Sequence, residues 1–277
     1  MRVLVTGGSG FIARNIVPIL SGEHEIYAPT RSELDIQDAD TVRSFVVRHR
    51  IEAIVHAAAA GVSRTEPDTI ARNTRMFESV AACAPLVRRL ILFGSGAEYD
   101  KSKPIIRVRE DAAGRAQPSD DYGNSKRAIA RRAAGIPNAV VLRVFGVFGP
   151  YEDVTRRFIS LAILSNLRGE PIVIRQDVVF SYTWVLDLAQ VVNHMLASPT
   201  ASGAYNIVPD ESVRLTEIAQ IVNEFADTPS EIRVLSPGLN LEYTGDNTRL
   251  REEMPGLSFT PLRDAVRTLM TYYRPHP

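Results

Sequence analysis

The segment Thr6-Gly7-Gly8-Ser9-Gly10-Phe11-Ile12-Ala13 constrains this chain more than any other. It follows an apolar, β-type run, Val3–Thr6, and opens a helical pattern, Phe11–Leu20. In that setting a glycine-rich turn reads as a dinucleotide-binding fingerprint. Gly7 permits the tight turn, and Gly10 lets the backbone approach a pyrophosphate. Ala13 replaces a third glycine and is still small enough for close helix–strand packing. The helix start at Phe11 and Ile12 presents unpaired N–H groups and a positive dipole end to the phosphates.

The alternation continues. Glu25–Ala28, Ala53–His56, Arg89–Phe93 and Ala139–Val144 read as strands, with helices at Ala39–Arg50, Asp68–Ala84 and Tyr122–Ala134. Such spacing predicts right-handed βαβ units and an α/β fold, a Rossmann-type doubly wound parallel sheet over residues 1–150. Beyond Gly149-Pro150 the pattern loosens. Helices are expected at Arg156–Leu167, Val185–Leu196, Leu215–Phe225 and Pro261–Tyr272, with short strands at Ile172–Ile174, Ala204–Val208 and Ile232–Leu235. Residues 151–277 therefore predict a smaller α+β lobe, some segments of which return to the sheet. The polar stretch Tyr99–Asp121 is long enough to read as a functional loop.

Composition removes several classes. Lys and Arg number 32 and Asp and Glu 32, so no bulk charge draws the chain to nucleic acid or an anionic membrane. The one cysteine, Cys83, reads as a small buried hydrophobe, and no Cys/His spacing points to a metal. The N-terminus shows no secretory pattern, and no apolar run is long enough to span a bilayer, so a cytoplasmic protein is expected.

The second strand ends Tyr27-Ala28-Pro29-Thr30-Arg31, with no carboxylate before Glu33. A carboxylate there would bond the ribose hydroxyls, whereas an arginine accepts a 2′-phosphate. Arg31 thus favours NADP(H), with NAD(H) as the alternative. Further on, Tyr122-Gly123-Asn124-Ser125-Lys126 sets a phenol and an ammonium one turn apart on one helix face. Asp120 and Asp121 precede them, suited to capping that helix. A free phenol titrates near about 10, too high for proton transfer at neutral pH. The lysine and an oxidised nicotinamide are both expected to lower it. Ser95, at the end of the fourth strand, is placed to orient a carbonyl or hydroxyl beside Tyr122.

With these residues the chain resembles the extended short-chain dehydrogenase/reductase superfamily, the NAD(P)-dependent nucleotide-sugar epimerases, dehydratases and reductases. The resemblance runs through His56-Ala57-Ala58-Ala59, Phe93-Gly94-Ser95-Gly96-Ala97-Glu98-Tyr99, Leu142-Arg143-Val144-Phe145-Gly146-Val147-Phe148-Gly149-Pro150 and Val185-Leu186-Asp187-Leu188. It implies a catalytic Ser95, Tyr122 and Lys126, with the nicotinamide between them and Phe145–Val147. It also implies cofactor contacts at Ala57, Ala58 and Ala59, with Asp35 and Ile36 flanking the adenine. A nucleotide-diphosphate sugar is the implied substrate, held by a substrate-binding lobe at residues 151–277 and touching Ser95, Gly96, Ala97 and Tyr122, and a homodimer is usual.

Departures sort the reactions. Dehydratases of this kind carry an Asp-Glu pair after the catalytic Ser/Thr, where this chain has Gly96 and Ala97. Epimerase–reductases making fucose-type sugars need a cysteine and a histidine where this chain has Ala97 and Tyr151. NADPH-dependent reduction of a 4-keto-6-deoxy sugar nucleotide is favoured; the alternatives are an NAD-dependent 4-epimerase and an NADP-binding sensor without turnover. Many relatives grip the diphosphate with an arginine at the position of Phe180; Arg175, Arg156 or Arg157 could substitute, although each also reads as a surface residue. His56, Trp184 and Tyr182 read as packed residues. Glu98 reads as structural or a polar substrate contact, and Asn73 as a residue near the cofactor.

Overall fold

The computed structural model describes residues 1–61 and 68–275. Its first half alternates β1 (Arg2–Thr6), α1 (Phe11–Leu20), β2 (Glu25–Tyr27), α2 (Ala39–Arg48), β3 (Ala53–His56), α3 (Thr69–Ala81), β4 (Arg89–Ser95), β5 (Ile105–Val108), α4 (Asp121–Ala133), β6 (Ala139–Val144) and β7 (Gly146–Phe148). There follow α5 (Phe158–Leu167), β8 (Ile172–Asp177), β9 (Val179–Phe180), β10 (Tyr182–Trp184), α6 (Asp187–Ala197) and β11 (Gly203–Ile207). The chain ends through β12 (Val213–Arg214), α7 (Leu215–Glu224), β13 (Ile232–Leu239), β14 (Tyr243–Gly245), α8 (Thr248–Glu253) and α9 (Leu262–Tyr273). Among the described residues no helix is long and apolar enough to cross a membrane.

The main sheet has the order β2-β1-β3-β4-β6-β11, and every pairing in it is parallel. Its central strands are unbroken apolar runs because helices cover both faces. Val3, Val5, Val55 and Ile91 point to one helical layer, where α1 and α6 bring Ile16, Leu20, Val191 and Met195. Leu4, Ile54, Leu90 and Val141 point to the other, against Val42, Phe77, Val80 and Ile129 of α2, α3 and α4. The chain runs from β1 outward to β2, then returns to β3 on the other side of β1. That reversal opens a crevice at the carboxyl ends of β1 and β3, and the glycine turn sits in it.

A separate core forms beyond β7. There α5, α7 and α9 enclose Ile159, Ile163, Ile218, Val222, Val266 and Leu269 against the parallel pair β8–β13. β11 leaves this part of the chain to close the main sheet beside β6. The stretch 99–121 is not a plain loop. It holds β5, which joins the small sheet β12-β9-β14-β5 by pairing with β14, more than a hundred residues away. Helix α5 begins at Phe158 rather than Arg156, because residues 153–156 close a turn of their own and Arg157 is extended.

Candidate functional site

A cavity of about 980 Å³ lies between the carboxyl edge of the main sheet and the α5–α7–α9 layer. The glycine turn, Arg31, Asp35, Ile36 and Ala57–Ala59 line its sheet side. The turn is shaped for close backbone approach. Gly7 has a φ of 73°, and a Cβ there would lie 2.9 Å from the Ala58 Cα. A Cβ on Gly8 would lie 2.3 Å from the Ala28 carbonyl oxygen. Gly10 closes the turn through its N–H to the Gly7 carbonyl at 2.7 Å and caps α1 without a side-chain bond. The first N–H groups of α1 are therefore offered to the cavity, as a pyrophosphate requires. Ala13 is buried in the core behind the turn. At the end of β2, exposed Arg31 lines the cavity, while Glu33 turns back to accept from the Thr30 N–H (2.7 Å) and hydroxyl (2.8 Å).

Ser95, Ala97, Tyr122, Lys126, Phe145 and Val147 line the cavity next to this cradle. Ser95 ends β4 and caps a 3-10 turn, Gly96–Glu98, its hydroxyl accepting from the Ala97 N–H at 3.1 Å. Helix α4 comes close enough to this turn that a Cβ on Gly123 would meet the Ala97 carbonyl oxygen at 2.4 Å. Asp120 fixes the start of α4 by accepting from the Gly123 N–H at 2.7 Å. The result sets the Tyr122 phenol and Ser95 on the same stretch of cavity wall, close enough for Ser95 to favour the ionised phenol. Lys126 follows one turn later, buried, its ammonium donating to the Phe93 carbonyl at 2.7 Å and lying 5.7 Å from the Tyr122 ring.

Among the protein's own groups, burial governs the electrostatics here. It raises the Tyr122 phenol to about 12, opposed by Ser95 and the Arg157 charge. It also lowers Lys126 to about 8. Desolvation outweighs the neighbouring cation, so the protein's own groups hold Tyr122 as a neutral phenol.

A second phenol is present that the sequence did not reveal. Tyr243, from β14, lines the cavity beside Ser95. A Cβ on Gly96 would lie 2.4 Å from the Tyr243 hydroxyl and 2.8 Å from the Phe145 ring. Gly96 is thus covered by those two rings and does not line the cavity, contrary to its expected substrate contact. Arg175 does not reach the cavity either, since alternation along β8 turns it to the exposed face. Arg156 and Arg157 do line it, as do Phe180 and Tyr182. Tyr182 is therefore a wall residue rather than core, whereas Trp184 is buried.

The remaining residues are structural. Glu98 is fully inside, receiving the Ser95 N–H (3.0 Å) and the Arg143 guanidinium (2.7 Å). His56 pairs with the Thr6 hydroxyl at 2.8 Å and is pushed down to about 3 by burial and by Lys126, so it stays neutral. Asn73 clamps the backbone of Ala60 and the Ser125 hydroxyl instead of facing the cavity. Cys83 is buried and free. No cluster of His, Cys, Asp or Glu suited to a metal occurs among the described residues.

Comparison with known proteins agrees with this geometry. The model of the "NAD dependent epimerase/dehydratase family" matches residues 3–208. A curated dTDP-4-keto-6-deoxy-D-glucose reductase of Streptomyces niveus is 28% identical over 218 residues, covering 74% of this chain and 72% of that protein. Among solved structures, a GDP-L-fucose synthetase from Naegleria fowleri superposes with a TM-score of 0.86 at 15% identity, covering 99% and 93% of the two chains. A GDP-mannoheptose C4 reductase from Campylobacter jejuni, solved with NADP bound, gives 0.84 at 17% identity, covering 99% and 98%. At these identities the structural likenesses speak for the fold.

Proposed function

We propose that this chain, which belongs to the NAD dependent epimerase/dehydratase family, reduces the 4-keto group of a nucleotide-diphosphate 4-keto-6-deoxy sugar with NADPH. The observation that carries this reading is that Ser95, Tyr122 and Lys126 line the same cavity as the glycine cradle. Residues with no acid or base, Gly96 and Ala97, follow Ser95, which leaves plain redox chemistry at one carbon. The named activity of the Streptomyces niveus relative supports the substrate class.

The cradle fits the cofactor. Gly7, Gly10, Phe11 and Ile12 receive its pyrophosphate, Asp35 and Ile36 flank the adenine, and Ala57–Ala59 line the path to the reacting centre. Arg31 receives the 2′-phosphate, a preference supported by the engagement of Glu33 with Thr30. When bound, the reduced nicotinamide supplies a hydride to the sugar's C4. Ser95 orients the carbonyl oxygen, and Tyr122 gives that oxygen its proton. A phenol held at about 12 is the protonated acid that reduction needs at neutral pH. Lys126 keeps a positive charge near the developing oxyanion and is fixed by the Phe93 carbonyl.

The test supplies dTDP-4-keto-6-deoxyglucose with NADPH or NADH and follows loss of the reduced cofactor. Net consumption of NADPH is expected, with Tyr122→Phe slower by about 100-fold or more. Arg31→Ala should raise KM for NADPH about tenfold and leave NADH use unchanged. Turnover by Tyr122→Phe at the parent rate would sink the reading. Interconversion at C4 with retained NAD and no net consumption would make the protein an epimerase. NADP(H) binding without turnover would make it a sensor.

A further inference from the structure

After Gly149 and Pro150 the chain is held in an uncommon turn. Tyr151 adopts a left-handed φ of 68°, which a bulky side chain takes only under constraint. Its ring is fixed by the Arg14 guanidinium, 3.7 Å from the ring centroid, and by an edge contact with Tyr272. The next residue, Glu152, is thereby carried inward. It is 7% exposed and lines the cavity. One carboxyl oxygen accepts from the Ser160 hydroxyl, itself 3.0 Å from the Tyr273 hydroxyl. The other, Oε2, is buried with no hydrogen-bond partner.

Two further polar groups on the same wall are unmatched. The side chains of Arg157 and Tyr182 line the cavity, and neither has a hydrogen bond or ion pair among the described residues. The Arg157 charge acts on Glu152, Tyr182 and Tyr122 alike, which gathers all four around one stretch of cavity. A buried carboxyl oxygen without a partner is costly, and proteins keep few of them. A carboxylate also repels phosphate, so this wall suits a neutral ligand carrying both donors and acceptors. A ring hydroxyl donates to a carboxylate and accepts from a guanidinium or a phenol.

We propose that Glu152, framed by Arg157 and Tyr182, is a specificity residue for the sugar ring, its Oε2 accepting a hydroxyl of the nucleotide-linked substrate. This assignment rests on the nucleotide-sugar reading above and adds which residue selects the sugar. Burial supports it, since the carboxyl is raised to about 7 against the opposing influences of Ser160, Arg157 and the Gly149 N–H. Such a group burdens the free protein and is relieved by a ligand.

The experiment is calorimetric titration of the NADP(H)-loaded protein, as wild type, Glu152→Gln and Glu152→Ala. The probes are dTDP-glucose, GDP-mannose and UDP-glucose, each beside its nucleoside diphosphate alone. Expected is a loss of about tenfold or more in sugar-nucleotide affinity for both variants, with nucleoside diphosphate affinity held within about twofold. Glu152→Gln should also melt no lower than wild type at pH 8. Equal sugar-nucleotide affinity in wild type and Glu152→Gln would overturn the assignment. So would a lower melting temperature with affinity lost equally for both probes, because that is the signature of a merely structural carboxyl. Failure of the wild type to bind any of the three sugar nucleotides would instead sink the substrate reading, and this assignment with it.

Discussion

Tyr243 and Gly96 show how one residue's identity follows from another far away in sequence. The Tyr243 hydroxyl reaches Ser95 only because position 96 carries no side chain, a Cβ there lying 2.4 Å from that hydroxyl. Tyr243→Phe keeps the ring against Phe145, at a centroid distance of 5.0 Å, and removes the hydroxyl beside Ser95. Its kcat should fall by about fivefold, the equivalent of about 1 kcal/mol. Gly96→Ala should cost about 1–3 kcal/mol of stability through overpacking against two rings, read by urea unfolding. An unchanged kcat in the first variant would remove Tyr243 from the reacting centre. Ser95, Tyr122 and Lys126 were legible in the sequence because a strand end and one helical turn bring them together locally. Tyr243 and Glu152 were not, because they reach the cavity through packing of the later part of the chain. The desolvation of Tyr122 was hidden for a related reason: the sequence displays charges but not burial.

Among the elements, the turn Gly96–Glu98 does most to position the site, and a buried ion pair holds it. Glu98 accepts from the Ser95 N–H with one oxygen and from Arg143 of β6 with the other. Burial raises Glu98 while Arg143 opposes that shift, so the carboxylate depends on its partner. Glu98→Gln leaves a buried guanidinium unpaired and should cost about 3–5 kcal/mol. The double variant Glu98→Leu with Arg143→Met should recover much of that stability but not the turnover, because Ser95 loses its anchor. Urea unfolding and kcat for both variants check this, and a single variant as stable as wild type would refute it. The doubly wound sheet was legible because β1, β3, β4 and β6 are apolar runs separated by helical periods. Strands such as β9, β10, β12 and β14 span only two or three residues, too few for any period to register. They exist because tertiary partners supply the pairing. β5 likewise looked like loop because its partner β14 lies at the far end of the chain.

Over the whole molecule, the two buried charges at the cavity burden the fold in opposite pH ranges. Lys126 is lowered from 10.5 to about 8, chiefly by burial. Between those values the unfolded chain binds more protons than the folded one, so stability rises with pH across that window. Below about pH 8 the burden is present in full, worth about 3 kcal/mol at most by the usual conversion. Glu152, raised from 4.5 to about 7 by burial, works the other way: its stability is lost as pH rises through that span. Near neutral pH the free protein therefore carries much of both burdens. Lys126→Met should abolish turnover yet stabilise the cofactor-free protein at pH 7 by up to about 3 kcal/mol, less the lost hydrogen bond to Phe93. That gain should shrink to under about 1 kcal/mol by pH 10 and vanish only above about pH 10.5, where the unfolded lysine also loses its proton. Urea unfolding of both proteins at the two pH values decides it: a difference that is equal at both would assign the effect to packing and not to charge. A gain confined to the lower pH would mean that the site keeps a desolvated ammonium at the expense of stability, as expected where a fixed charge serves a reacting oxygen.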